Sequence, residues 1–419
     1  MKIQARFLWF VLTLILWLSG HSVLAGGFEV VQQSALSSGA GGASTARSDA
    51  AGAAWYNPAA LADGKGMRLA LGATLAMSVN QAEALKSAPD SPWSAETNNG
   101  VSTLPHLYFS WASSSWVAGV AANVPFGSSV KWPADWSQRF DVIRSKVQVY
   151  RVTPFFGWRF GPVSIAVGPH FDVARMELKR ATDHIDTEGS SHLLMTGWGA
   201  GFEASAYYEV NEQLSFGVSY KSRSWGIRFE GDADFEVPDE FSGDYPDQEV
   251  AADWMLPDRI AVGVSGGFGS GLTRFRIFGD VTFTLWSVYD TLELEFADDA
   301  TDNREINYKW RDSMAIRLGT DWTPIDILTA RVGFYWDGVY GPPPPEKHLS
   351  ASSPDCTRLG ITVGATVRLS QWFAIDAYYE HLRLLEREAA STDTPMARYQ
   401  GFANLVGLGL RVSFSPTSH

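Results

Sequence analysis

Met67-Arg68-Leu69-Ala70-Leu71-Gly72-Ala73-Thr74-Leu75-Ala76-Met77-Ser78-Val79-Asn80 decides the fold. Its odd-numbered positions are all apolar, and its even-numbered ones are Arg68, Ala70, Gly72, Thr74, Ala76, Ser78 and Asn80. Successive strand side chains point to opposite faces of the sheet. One face of this strand is therefore greasy throughout, and the other is small or polar. Strands of soluble sheets are usually about 5–6 residues long, whereas a tilted strand crossing a bilayer needs about 9–11. The stretch fits the second length.

The pattern returns along the chain. Val406, Leu408, Leu410, Val412 and Phe414 alternate with Gly407, Gly409, Arg411 and Ser413. Leu214–Lys221 and Val163–Val173 behave alike, with His170 and Asp172 on the polar side of the latter. A soluble sandwich alternates too, but the connections separate the two architectures. Short ones fall near Ser113–Ser115, Gly161-Pro162, Asn211-Glu212, Gly267–Gly271, Trp322–Ile325 and Ser370-Gln371. Long polar ones fall near Gln81–Ser102, Gly127–Ile143, Ala181–His192, Gly231–Val250, Ala297–Arg304, Val339–Pro354 and Ala389–Met396. Long and short take turns, as the outer loops and periplasmic turns of an outer-membrane barrel do. Six short and seven long connections predict an all-β chain, a 14-stranded antiparallel transmembrane β-barrel over residues 67–419, with both ends in the periplasm.

Residues 26–66 precede the barrel. Between Ser34 and Ala54 nearly every residue is Ser, Ala or Gly, and the stretch closes on Trp55-Tyr56-Asn57-Pro58-Ala59. Small residues let backbone pack tightly, and glycine accepts dihedrals that others refuse. The expectation is a compact hatch threaded into the barrel lumen, with Asn57-Pro58 as a rigid turn against the wall. Met1–Ala25 reads as a secretory signal peptide, with Lys2 and Arg6 ahead of an apolar run, Phe7–Leu18, and small residues at the cleavage site. Its loss takes the formal net charge from -13 to -13 - 2 = -15. An acidic exported chain argues against nucleic acid as a partner. A single cysteine, Cys356, excludes an internal disulfide framework. The 17 Trp and 24 Phe suit a barrel with aromatic belts at both interfaces.

With the small-residue segment, Asn57-Pro58-Ala59 and the strand pattern in one chain, the sequence resembles the FadL/TodX family. These are outer-membrane channels for long-chain fatty acids and other hydrophobic compounds. The marks are Gly27-Phe28, Asn57-Pro58-Ala59, Pro125-Phe126-Gly127, Leu256-Pro257, Leu285-Trp286-Ser287 and Trp310-Arg311-Asp312, in that order over Gly26–Phe414. The resemblance implies passive uptake across a Gram-negative outer membrane. Outer loops catch the substrate, an interior site holds it, the hatch shifts, and the substrate leaves sideways through a kink in the third strand. It assigns that kink to Gly119 and Pro125, gating to Asn57, Pro58 and Ala59, and substrate contact to Phe28, Arg175 and Arg311. A guanidinium holds a carboxylate through two parallel hydrogen bonds. Parity alone, however, puts Arg175 on the face of Phe171 and Val173. An uncharged aromatic hydrocarbon is the alternative substrate.

Two other classes are weaker. An open porin conflicts with the hatch. Gly263-Val264-Ser265-Gly266-Gly267 matches a hydrolase nucleophile pattern, but that pattern needs a strand-to-helix elbow. No catalytic residue, metal site or cofactor is expected. The acidic loop at 231–250 suggests contact with lipopolysaccharide through divalent ions, and a closed barrel suggests a monomer.

Overall fold

The computed structural model describes residues 27–414 except 87, 89–91, 185–186, 299–300, 340–343 and 390–395. The expected signal peptide and the tail Ser415–His419 lie outside the described residues. The sheet contains 14 antiparallel spans in chain order. The first six are β1 (Gly66–Ala84), β2 (Val101–Ala112), β3 (Trp116–Lys131), β4 (Arg144–Phe160), β5 (Val163–His184) and β6 (Thr187–Asn211). Four more are each built of two pieces. They are β7 (Leu214–Lys221 and Ser224–Glu236), β8 (Gln248–Leu256 and Asp258–Phe268), β9 (Phe275–Leu285 and Thr291–Phe296) and β10 (Arg304–Asn307 and Ser313–Ile325). The last four are β11 (Leu328–Asp337), β12 (Arg358–Arg368), β13 (Phe373–Glu388) and β14 (Ala397–Phe414).

The first and last spans close the barrel, in register from Met67↔Phe414 to Ala84↔Ala397. The alternation that announced β1 points as its chemistry requires. Leu71 and Leu75 are exposed on the outer wall, while Ala70 and Thr74 are buried inside. Trp111, Trp116, Trp158, Phe268, Trp322 and Trp372 stand exposed beside the short turns, as one aromatic girdle of a membrane barrel does.

Several expected boundaries move. The polar stretch 181–192 is not a long loop: β5 and β6 stay paired out to His184↔Thr187. Likewise β3 continues past Phe126 to Lys131, β7 runs on to Glu236, and Trp322–Ile325 belongs to β10. Beyond the bilayer both faces of a strand meet water, so polarity there no longer distinguishes strand from loop.

The N-terminal segment, 27–63, is buried inside the barrel along most of its length. It contains two one-turn helices, Ala35–Ser38 and Ala53–Tyr56, and a 3-10 turn, Pro58–Asp63. Its small residues allow backbone to lie directly on the wall. At Gly319 of β10 a Cβ would collide with the carbonyl of Ala40. The low-complexity run is thus a packing surface.

Candidate functional site

The four two-piece spans build the site. Each breaks on the outer half of the barrel, at 222–223, 257, 286–290 and 308–312. Where the ladder breaks, aromatic side chains enter the lumen. Trp254 sits just before the break of β8, Trp286 and Tyr289 in that of β9, and Trp310 in that of β10. Together with Phe126 of β3 they form a cage around Phe28. Its ring centroid lies 4.7 Å from Trp286, 5.5 Å from Trp310, 5.6 Å from Trp254 and Tyr289, and 5.9 Å from Phe126. Aromatic pairs at such distances add about 0.5–1.5 kcal/mol each beyond area burial. Among the described residues the indole N–H groups of Trp286 and Trp310 have no hydrogen-bond acceptor.

The chain approaches the cage through Gly27, whose φ of 62° lies in the left-handed region. A Cβ there would run into the Trp286 ring, so glycine is required twice over. Gly27 N–H donates to Asp355 Oδ2 at 2.7 Å, and Arg358 donates to the Gly27 carbonyl and to Asp355. Burial pushes the Asp355 carboxyl up to about 6, against the opposing pull of Arg358. Glu29 bridges to Phe126 as a single antiparallel rung, and its carboxylate accepts from Arg259 at 2.6 Å. Val30 N–H donates to the Pro125 carbonyl, and Gly127 N–H to that of Phe28.

Those contacts meet β3 where its register shifts, between Asn123 and Phe126. Four consecutive side chains there, Asn123 to Phe126, are buried, which a regular strand does not permit. Proline lacks the N–H a ladder needs, so Pro125 belongs in such a bulge. Gly119 does not: its register runs unbroken from Ser110 to Phe155, and its missing Cβ makes room for the Phe155 ring. The register shift coincides with Pro125 and not with Gly119. Beside it the ladder between β2 and β3 is interrupted, which leaves a slot in the wall. The register of β2 with β3 ends at Leu107↔Ala122, while β2 itself runs up to Val101. The margins rejoin outside, where Asn98 N–H donates to the Lys131 carbonyl.

Two cavities frame Phe28. The inner one, of about 200 Å³, is lined by Val30, Ala76, Leu104, Val124 and Leu405, with Tyr335, Asp337 and Arg358 at a polar end. It reaches the slot at Ser102 and at Gly127–Val130. The outer one, of about 540 Å³, lies under the loops over an apolar floor of Leu178, Leu193, Phe296, Ile306 and Tyr308. Arg180, Arg304 and Asp141 also line it. Among the described residues neither guanidinium forms an ion pair. Burial raises the Asp141 carboxyl, and its Oδ2 has no hydrogen-bond partner.

The expected site residues are not all brought together. Phe28 is at the centre. Arg175 is exposed on the outer wall, on the side of Phe171 and Val173, so parity was the better guide. Arg311 is exposed in the break of β10 and does not face the cage, whereas its neighbour Trp310 does. Asp312 accepts from Ser287 N–H at 2.9 Å and ties the two breaks together. Asn57 donates to the carbonyls of Thr45 and Ala206, and Ala59 N–H to Ser205 Oγ, which fixes that turn to the wall. Ser265 lies inside a strand, not at an elbow. Sequence reasoning missed Arg180, Arg304 and Arg358. Even parity with Ala174 and Met176 would have placed Arg180 inside.

A family model described as outer membrane protein transport protein (OMPP1/FadL/TodX) matches residues 16–414. A 47 kDa outer membrane protein of Pasteurella multocida is 26% identical over 52% of this chain and 51% of its own. The chain spans about half the length of that curated relative. Among solved structures, a Pseudomonas aeruginosa FadL homologue is 18% identical with a TM-score of 0.79, over 93% of this chain and 100% of that one. The toluene transporter TodX of P. putida is 14% identical with a TM-score of 0.71, over 95% of this chain and 100% of that one. Both likenesses describe the fold.

Proposed function

The chain belongs to the OMPP1/FadL/TodX family of outer membrane transport proteins, and on that premise we propose that it admits hydrophobic small molecules passively. The carrying observation is the continuity of the inner cavity with the slot between β2 and β3. A greasy solute leaving there enters lipid without crossing water, which follows the hydrophobic driving force. Residues 26–66 act as the hatch: Phe28 yields the aromatic cage to the ligand, and Asn57-Pro58-Ala59 holds the far end still. The closed sheet has no free edge and serves as a monomer, in contact with outer-membrane lipid and lipopolysaccharide.

The substrate class is long-chain fatty acids or related acids with an apolar tail. Arg180 and Arg304 favour it, since among the described residues they form no ion pair and, with Asp141 as the one carboxylate acting on both, they leave positive charge over an apolar floor. A carboxylate there would gain charge-assisted hydrogen bonds, while its tail lies on Leu178, Leu193 and Phe296. Uptake of uncharged aromatic hydrocarbons is the second reading, favoured by the ring cage around Phe28.

Equilibrium binding of a long-chain fatty acid and, separately, of toluene to detergent-purified protein tests the choice. The acid reading expects fatty-acid affinity to fall at least about tenfold in Arg180→Ala with Arg304→Ala, with toluene unaffected. Arg175→Ala and Arg311→Ala should change neither ligand. Toluene binding that tightens in Phe28→Ala, which vacates the cage, with fatty acid indifferent to every arginine, would replace the acid by the hydrocarbon.

A further inference from the structure

We propose that the outer wall of β3–β6 carries a binding site for the phosphorylated headgroup of an outer-leaflet glycolipid, with Arg175 at its membrane edge. This rests on reading the barrel as an outer-membrane protein. It does not depend on which substrate passes inside.

The register builds the site. Lys131, Arg144, Lys179 and His192 are neighbours in one row across the four spans, on the outward parity of the wall; Lys131 is exposed and the other three half-buried, with Arg144 and Lys179 also reaching the rim of the outer cavity. The next row toward the membrane is Ser129, Lys146, Glu177 and Leu194. The third is Gly127, Gln148, Arg175 and Thr196. Below it stand Tyr150, Val173 and Trp198, exposed and apolar. With strands about 4.8 Å apart and alternate residues about 6.7 Å apart, the basic rows cover roughly 15 by 13 Å.

Four of the cations in this patch are uncommitted. Glu177 takes Arg144 at 2.6 Å and His192 at 3.4 Å. Among the described residues Lys131, Lys146, Arg175 and Lys179 make no ion pair. The sign then reverses abruptly. On β7 the same three rows continue as Asp234, Asp232 and Glu230. Cations are thus concentrated on one sector of the wall, just beyond an aromatic row, where a lipid headgroup meets the protein. Arginine grips phosphate oxygens through its planar fork, and lysine adds point charge. Acyl chains of the same molecule would lie on Tyr150, Val173 and the apolar wall below. A phosphorylated disaccharide with several acyl chains satisfies both halves of the surface. Inorganic phosphate satisfies one.

The test is native mass spectrometry of the full barrel in detergent with three probes: diphosphoryl, monophosphoryl and dephosphorylated lipid A. Wild type should retain them in that order. Lys146→Gln, Arg175→Gln and Lys179→Gln together should weaken diphosphoryl lipid A by at least about tenfold; fatty-acid binding should be unchanged in Arg175→Gln, which lines neither cavity. Arg175→Gln alone should give a smaller loss in the same direction, which covers poor folding of the triple variant. Glu230→Gln with Asp232→Gln should weaken nothing. Equal retention of all three probes, an undiminished signal in both the triple and the single variant, or equal competition by inorganic phosphate would overturn the proposal. A dimer that disappears in the triple variant would overturn it in favour of a second copy of this chain.

Discussion

The middle of the N-terminal segment and the Phe28 side chain at its beginning are held by different physics. Near its middle, Arg47 reaches Asp321 with two hydrogen bonds of 2.9 and 3.0 Å and lies 3.8 Å over the Phe278 ring. Ser44 and Thr45 give two backbone N–H groups to Asp280, both at 2.8 Å. These are directional, charge-assisted contacts to β9 and β10, with one geometry and steep losses away from it. At the beginning, hydrogen bonds hold the backbone and Glu29 bonds Arg259 at 2.6 Å, but the Phe28 side chain itself is held by ring packing, which an apolar ligand can reproduce. The segment is therefore an anchor joined to an exchangeable plug. The proposed gating places motion in Gly27–Gln33 and keeps Ser44–Ala59 in place.

The largest expected effect tests the anchor. Arg47→Ala leaves Asp321 buried with Arg331 alone at 3.1 Å, and losing one partner of a buried pair costs about 3–5 kcal/mol. Proteolysis should then cut inside 34–54 in the native barrel. If the segment stays resistant, the anchor lies elsewhere. Phe28→Ala should cost about 2–3 kcal/mol, toward the low end for a buried aromatic because the cage can close on itself. It should leave 34–54 protected, and only cleavage near residue 28 should rise.

A pH dependence sharpens the contrast. The folded-state value of Asp355 is raised to about 6 by burial, above the usual carboxylate. Folding then favours the protonated acid. That contribution is fully present below about pH 4 and is lost as pH rises through about 6. Protection of residues 27–33 should weaken from pH 4.5 to 7 more than protection of 44–59 does. Asp355→Asn should flatten that difference. The smallest effects belong to the surface arginines: Arg175→Ala and Arg311→Ala should shift stability by less than about 0.5 kcal/mol.

What was legible in the sequence follows from the same division. Period-two alternation reports a wall with lipid on one side, so β1 and β14 were readable residue by residue. It ceases where both faces meet water, and the hairpin at 181–192 was mistaken there. The segment's small residues signalled close packing, though Gly119 shows that one glycine does not mark a kink. The cage was out of reach because it joins Phe28, Phe126, Trp254, Trp286 and Trp310 across breaks in three spans. Three of its rings, Phe126, Trp286 and Trp310, stand in the quoted triplets, but the charge beside Trp310 points to Arg311 instead. A motif's exposed arginine was weighed above its buried indole.

The most direct test of lateral exit closes the slot. Ser102 and Ser128 line the inner cavity on its two margins, on β2 and β3. The native Cys356 is buried, and burial pushes its thiol up to about 12, so it does not compete for a maleimide. In Ser102→Cys with Ser128→Cys, a short bismaleimide should reduce cellular uptake of a labelled fatty acid by at least about tenfold, with equilibrium binding intact. Undiminished uptake through the cross-linked barrel would contradict the account.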